Sequence, residues 1–173
     1  MRILLLVLAS FSFILSTAVS HGSDKKFFHG IQGKWVGPGE IVAGKYKGTK
    51  FVCTFGGANP ETKPGMDIDG SCRVGVFSQP MSAEIVKTAS GYIGAFLDGA
   101  KGDGMDVTGG RYTRDRLVVD IKRKDLNGIM VANLSDPNNL RVTISVKHND
   151  KLIPVIGMNL ARKSDPIVTG SVN

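Results

Sequence analysis

Short runs of alternating apolar and polar residues dominate the chain. Leu117, Val119 and Ile121 fall on one parity and Arg116, Asp120 and Lys122 on the other; Val142, Ile144 and Val146 alternate in the same way with Arg141, Thr143, Ser145 and Lys147. Successive side chains of a strand point to opposite faces, so a period of two predicts strands with one dry and one wet side. The same reading along the chain predicts strands at 33–42, 48–56, 69–78, 84–88, 91–98, 105–112, 116–123, 127–134, 140–148 and 151–162, cut by Gly, Pro, Asn and Asp. Asn149-Asp150 predicts the turn of a closing hairpin, and Pro154 predicts an edge or a bulge in the last strand. The stretch 82–89 reads two ways, because Ser82 followed by Glu84 also suits the start of a short helix over 83–87. No long helical period occurs elsewhere. The predicted fold is therefore all-β, an antiparallel meander of about eight to ten strands closed into a small barrel or packed as a sandwich.

The two ends depart from this pattern. Arg2, an apolar run from Ile3 to Leu15, and Ala18-Val19-Ser20 make a secretory signal peptide over 1–20 with cleavage expected after Ser20. Residues 21–30 show no sustained period and read as a flexible lead-in, 31–163 as a single β-domain, and 164–173 as a loose tail. The expected location is periplasmic or secreted, with no transmembrane segment in the mature chain, since the apolar run falls short of the roughly 20 residues a span requires. Without Arg2, 21 Lys and Arg stand against 15 Asp and Glu, a net charge of +6. That balance favours acidic partners: anionic lipid, polyanionic glycans or acidic proteins. Nucleic acid is not expected for an exported chain lacking interleaved exposed aromatics.

Export sets the reading of the two cysteines. Cys53 shares a strand face with Phe51 and Phe55, and Cys72 shares one with Val74 and Val76, so both sulfurs are expected to point inward. In an oxidising compartment they read as one disulfide rather than a redox-active dithiol, which ordinarily spaces its cysteines as Cys-x-x-Cys.

The first predicted strand, Gly33-Lys34-Trp35-Val36-Gly37-Pro38-Gly39, contains the chain's only tryptophan. This Gly-x-Trp opening resembles that of lipocalins and other calycin barrels, a likeness that implies a barrel with Trp35 plugging one end. The order Gly-x-Trp-x-Gly-x-Gly, then a strand with Cys53, then a strand with Cys72, is similar to that of small exported proteins of α-proteobacteria. That second likeness implies a fold and a compartment, and no activity.

Candidate chemistry is thin. Asp98, Asp103 and Asp106 lie in a glycine-rich stretch, and Asp67-Ile68-Asp69-Gly70 is a truncated calcium-loop pattern, but neither has EF-hand spacing and both suit tight turns. Ser23-Asp24-Lys25-Lys26 matches the Ser-x-x-Lys of serine acyltransferases without any partner motif. His148 is the only histidine inside the predicted β-domain, abutting a turn, which leaves no His–carboxylate pair for a hydrolytic triad. Cleavage after Ser20 makes His21 an N-terminal copper-ligand candidate, with His29 and His148 the only other imidazoles. No metal or cofactor is expected. Arg111, Arg114, Arg116, Lys122, Arg123 and Lys124 crowd one predicted hairpin over 105–124, either a solvated face or an anion-recognition face.

These features favour a non-enzymatic exported β-barrel that binds a small apolar or amphipathic ligand, because 92–97 and 129–132 are apolar on both parities, as enclosed strands are. The alternative is an envelope protein-binding module, such as an inhibitor of a secreted protease or lysozyme, using loops 57–67 and 98–106.

Overall fold

The computed structural model describes residues 22–97 and 104–164. The signal peptide, His21, most of the glycine-rich 98–106 stretch and nearly all of the tail therefore lie outside the described residues. Helix α1 (Gly22–Ile31) precedes ten strands: β1 (Gly33–Ile41), β2 (Lys50–Ala58), β3 (Gly65–Val74), β4 (Phe77–Thr88), β5 (Gly91–Leu97), β6 (Met105–Thr113), β7 (Arg116–Arg123), β8 (Leu126–Asp136), β9 (Asn139–His148) and β10 (Lys151–Lys163). Each strand pairs antiparallel with its sequence neighbours. β10 returns to pair with β1, Lys34 opposite Lys163 and Ile41 opposite Ile156, so the sheet closes into a barrel rather than a sandwich. Closure removes the sheet edges except at the tip of the β3–β4 hairpin, which the pairing of β2 and β5 does not reach.

The alternating runs sit as the period of two requires. Leu117, Val119 and Ile121 are buried inside while Arg116, Asp120 and Lys122 are exposed outside. Val142 and Ile144 face the interior likewise. Ser145 departs from the pattern: it has outward parity yet is buried, seated between Ile129 of β8 and Pro154 of β10. Pro154 lies at a register shift, so its missing N–H is accommodated by a bulge and not by an edge. Asn149 and Asp150 both take positive φ and join β9 to β10 in a two-residue turn, as their residue types favour.

Three expectations are corrected, and the two-way reading of 82–89 resolves to the strand. Residues 69–78 are not one strand, because Gly75 at φ +57° turns β3 into β4; Val74-Gly75-Val76-Phe77 lacks the Asn or Asp that marks such a turn. The ambiguous 82–89 stretch is the second half of β4, with Ala83 and Ile85 buried against the interior in strict alternation. Strand 91–97 is not enclosed on both faces, since Ile93 and Leu97 are exposed on the outside. The lead-in is not flexible irregular chain: α1 places Asp24, Phe27, Phe28 and Ile31 on one buried stripe at i, i+3, i+4, i+7. A ten-residue helix is marginal alone in water, so docking of this stripe stabilises it.

The helix closes one end of the barrel. Phe27 packs against Tyr112 with ring centroids 5.4 Å apart, and Phe28 meets Tyr92 edge-on at 6.1 Å. Those tyrosines lie at the end of β6 and the start of β5, so the helix spans the end where β1, β3, β5, β7 and β9 begin. Its first turn is held by Asp24, a buried carboxylate that accepts hydrogen bonds from Lys87 Nζ and from the Tyr92 hydroxyl at 2.7 Å. Burial, reinforced by that bond to Asp24, raises the Tyr92 phenol well above its ordinary pKa.

Candidate functional site

The chain's only tryptophan sits beneath the helix, fully buried at the start of β1, and donates its indole N–H to the carbonyl of Ile31 at 2.7 Å. Arg162 of β10 covers it. The guanidinium carbon lies 4.3 Å from the Trp35 ring centroid, Nη2 donates to the Gly30 carbonyl at 2.6 Å, Nη1 to that of Gln32, and Nε to that of Pro137 at 2.9 Å. Carbonyls at a helix C-terminus have no partner within the helix, and a planar cation with several donors suits them. Trp35, Arg162 and α1 thus form one plug.

Below the plug an apolar cavity of about 100 Å³ extends along the barrel, bounded by Ile31 and Trp35 at the helix and reaching Phe96 and Met105 on β5 and β6. Ser82 is the one hydroxyl among its lining residues; the others are apolar. Met66, Met81, Met105, Met130 and Met158 all line it, which is every methionine of the chain except Met1. They come from β3, β4, β6, β8 and β10, so the cavity is walled by thioethers from around the barrel. On β1, Gly39 lets the Phe51 ring lie against the backbone, since a Cβ there would stand 2.2 Å from that ring. Cys53 and Cys72 lie directly opposite each other on β2 and β3 and form the disulfide; Cys53 Sγ is 3.9 Å from Sδ of the lining residue Met158.

The remaining candidates are placed apart. Arg111, Arg114 and Arg116 lie toward the capped end of the β6–β7 hairpin, whereas Lys122, Arg123 and Lys124 lie at the open end. Arg116 and Arg123 stand seven residue steps apart along β7, roughly 23 Å at about 3.3 Å per residue, and Arg111, opposite Val118, stands four steps from Lys122, roughly 13 Å, both beyond a screening length of about 8 Å. The hairpin therefore carries these cations as two groups, one toward each end. Of the two candidate loops, 57–67 joins β2 to β3 beside the helix, while 98–103 lies outside the described residues, between β5, which ends at Leu97, and β6, which begins at Met105. His29 is exposed on the helical cap and His148 is exposed at the far end of β9, so the two cannot share a metal ion. Among the described residues no group of three or more His, Cys, Asp or Glu is arranged to hold one.

Sequence reasoning missed three parts of this site. Arg162 stood in the last strand with no local mark of its role. The Asp24 stripe was visible but covers barely two turns. The methionines carried the clearest signal, since Met66 and Ile68, Met81 and Ala83, Met130 and Ala132, and Met158 and Leu160 each share an inward parity.

No protein-family model matches this sequence, and no curated protein matches it. Among solved structures the chain is similar to Rv2717c from M. tuberculosis, with 13% identity over 82% of this chain and 98% of that one and a TM-score of 0.48.

Proposed function

We propose that the protein is a non-enzymatic, exported carrier or receptor for a small apolar or amphipathic molecule held inside the barrel. The observation that carries this reading is the apolar cavity lined by five methionines. A cavity of this kind disfavours water because the single Ser82 hydroxyl in its wall falls short of the two to four polar partners a buried water requires. Its volume is below the several hundred Å³ of preformed ligand pockets, but Met has three rotatable bonds and an easily deformed thioether, so the wall adapts to shape at little cost. A core meant only for stability would use Leu and Ile, whose rotamers specify a single packing. The disulfide supports an oxidising compartment, and among the described residues no helix is long and apolar enough to cross a membrane.

The methionines supply the test. Mature protein labelled with ¹³C at the Met methyl groups should show five resonances, and titration with decanoate or 1-anilinonaphthalene-8-sulfonate should shift several of them saturably. Ala132 is buried and lines the cavity, so Ala132→Leu should abolish the shifts while the variant remains folded. Methyl resonances that stay fixed with both probes would refute the proposal.

A further inference from the structure

The two ends of the barrel differ sharply in what they expose. Ten of the eleven large hydrophobic side chains that are exposed lie in the half opposite the helix: Val42, Tyr46, Val52, Val74, Val76, Phe77, Leu97, Leu126, Leu152 and Ile153. Ile93 is the exception among the described residues. The connections around the helical cap instead carry Asn59 to Pro64, Ala89-Ser90, Arg114-Asp115 and Pro137-Asn138.

The apolar side chains are most exposed on one projecting finger. β2 pairs with β3 only as far as Arg73, and β5 pairs with β4 only from Ser82 onward. The tip of the β3–β4 hairpin, from Val74 to Met81, therefore overhangs the barrel mouth with β3–β4 pairing as its sole ladder. Val76 is 89% exposed and Phe77 79% exposed on this tip. Beside it, because β2 and β3 are neighbours, stands the β1–β2 loop with Tyr46 62% exposed. Across residues 42–52 and 72–81 the cations are Lys45, Lys47, Lys50 and Arg73, and no carboxylate is present.

We infer that this finger and the β1–β2 loop dock the open end of the barrel onto the surface of an anionic phospholipid bilayer. Apolar tips flanked by Lys and Arg match a bilayer interface, where the side chains enter the headgroup boundary and the cations meet lipid phosphate. A second copy of the chain fits less well, because a two-fold contact through the same patch would bring four cations against four, which Glu40, opposite Lys50 on β1, offsets only in part. Docking through this rim does not depend on what the cavity holds.

Cosedimentation of the mature, disulfide-bonded protein with vesicles tests it. Binding should be strong to phosphatidylcholine vesicles containing phosphatidylglycerol, weak to pure phosphatidylcholine, and should fade as salt rises. Phe77→Ser together with Val76→Ser should lower the affinity at least tenfold. Each of Lys45→Gln, Lys47→Gln, Lys50→Gln and Arg73→Gln should lower it roughly fivefold. All six positions are exposed, so unfolding temperature should be unchanged, and Arg114→Gln with Arg116→Gln at the capped end should bind like wild type. Absence of protein from anionic vesicle pellets at low salt would overturn the inference. So would an equal loss in the capped-end control, or concentration-dependent dimerisation that Phe77→Ser abolishes.

Discussion

Replacing Arg162 probes the joint that holds the helix to the barrel. Its guanidinium satisfies carbonyls of Gly30, Gln32 and Pro137 and covers the Trp35 ring. It thus ties the helix C-terminus, the β8–β9 turn and the tryptophan to one side chain. Hydrogen bonds to a charged group contribute about 1.5–3 kcal/mol each when enclosed. Arg162 is only half-buried, so about 1 kcal/mol apiece is the fairer figure, and the cation–π contact adds about 1 kcal/mol. Arg162→Ala should therefore cost about 3–4 kcal/mol, lowering the melting temperature by about 10 °C at the usual 2–4 °C per kcal/mol for a chain of this size. Arg162→Lys keeps the charge but loses the planar fork, and should cost about half as much. Urea unfolding followed by Trp35 emission measures both, and native Arg162→Ala should also emit further to the red as water reaches the indole. A cost for Arg162→Ala below about 1 kcal/mol, or equal to that of the neighbouring exposed Lys163→Ala, would refute the latch.

Three other expectations follow from the same geometry. Because the folded state holds the Tyr92 proton more tightly than the unfolded chain does, its contribution is complete below about pH 10 and is lost as pH rises above it; Tyr92→Phe should flatten that alkaline decline and, by leaving Asp24 one donor poorer, cost about 1–2 kcal/mol at neutral pH, both read from unfolding curves across pH. Cys53→Ala with Cys72→Ala, which removes a link across 19 positions, should cost roughly 3 kcal/mol by the loop-entropy estimate, and thiols that titrate in unfolded, unreduced wild type would contradict the bond. Amino-terminal sequencing of exported protein should begin at His21, and an intact Met1 would contradict export.

How much of this was legible beforehand follows from which physical signal each element carries. Strands β1, β5, β6, β7, β9 and β10 were readable almost to their ends, because closing a barrel around a dry interior forces the period of two onto the residues themselves. The β3–β4 turn was not, since a single glycine at φ +57° suffices to make it and nothing else in Val74-Gly75-Val76-Phe77 interrupts the apolar run. The helix was hidden for a different reason. Its stripe has only three apolar residues and one aspartate, and what decides its conformation is the pair Tyr92 and Lys87, some 63 to 68 positions away. Barrel against sandwich was undecidable from periodicity, because both give alternating strands and only the β1–β10 pairing separates them.

The cavity and the mouth stood in the sequence as composition without location. Five methionines have no period of their own, and they become a site only when the register brings β3, β4, β6, β8 and β10 around one void. The basic residues show the opposite failure. Arg111 to Lys124 look like one cluster because they are near in sequence, yet a strand that runs the length of the barrel carries its two halves to opposite ends. Lys45, Lys47, Lys50 and Arg73 look scattered, yet the β2–β3 pairing brings them to one rim beside Val76 and Phe77. In a meander, each hairpin turn alternates between the two ends, so residues from every second connection share an end and those from consecutive connections do not. That parity of connections sorts the exposed surface here: the helix and polar turns close one end, and the apolar, cationic β1–β2 and β3–β4 connections are left at the other.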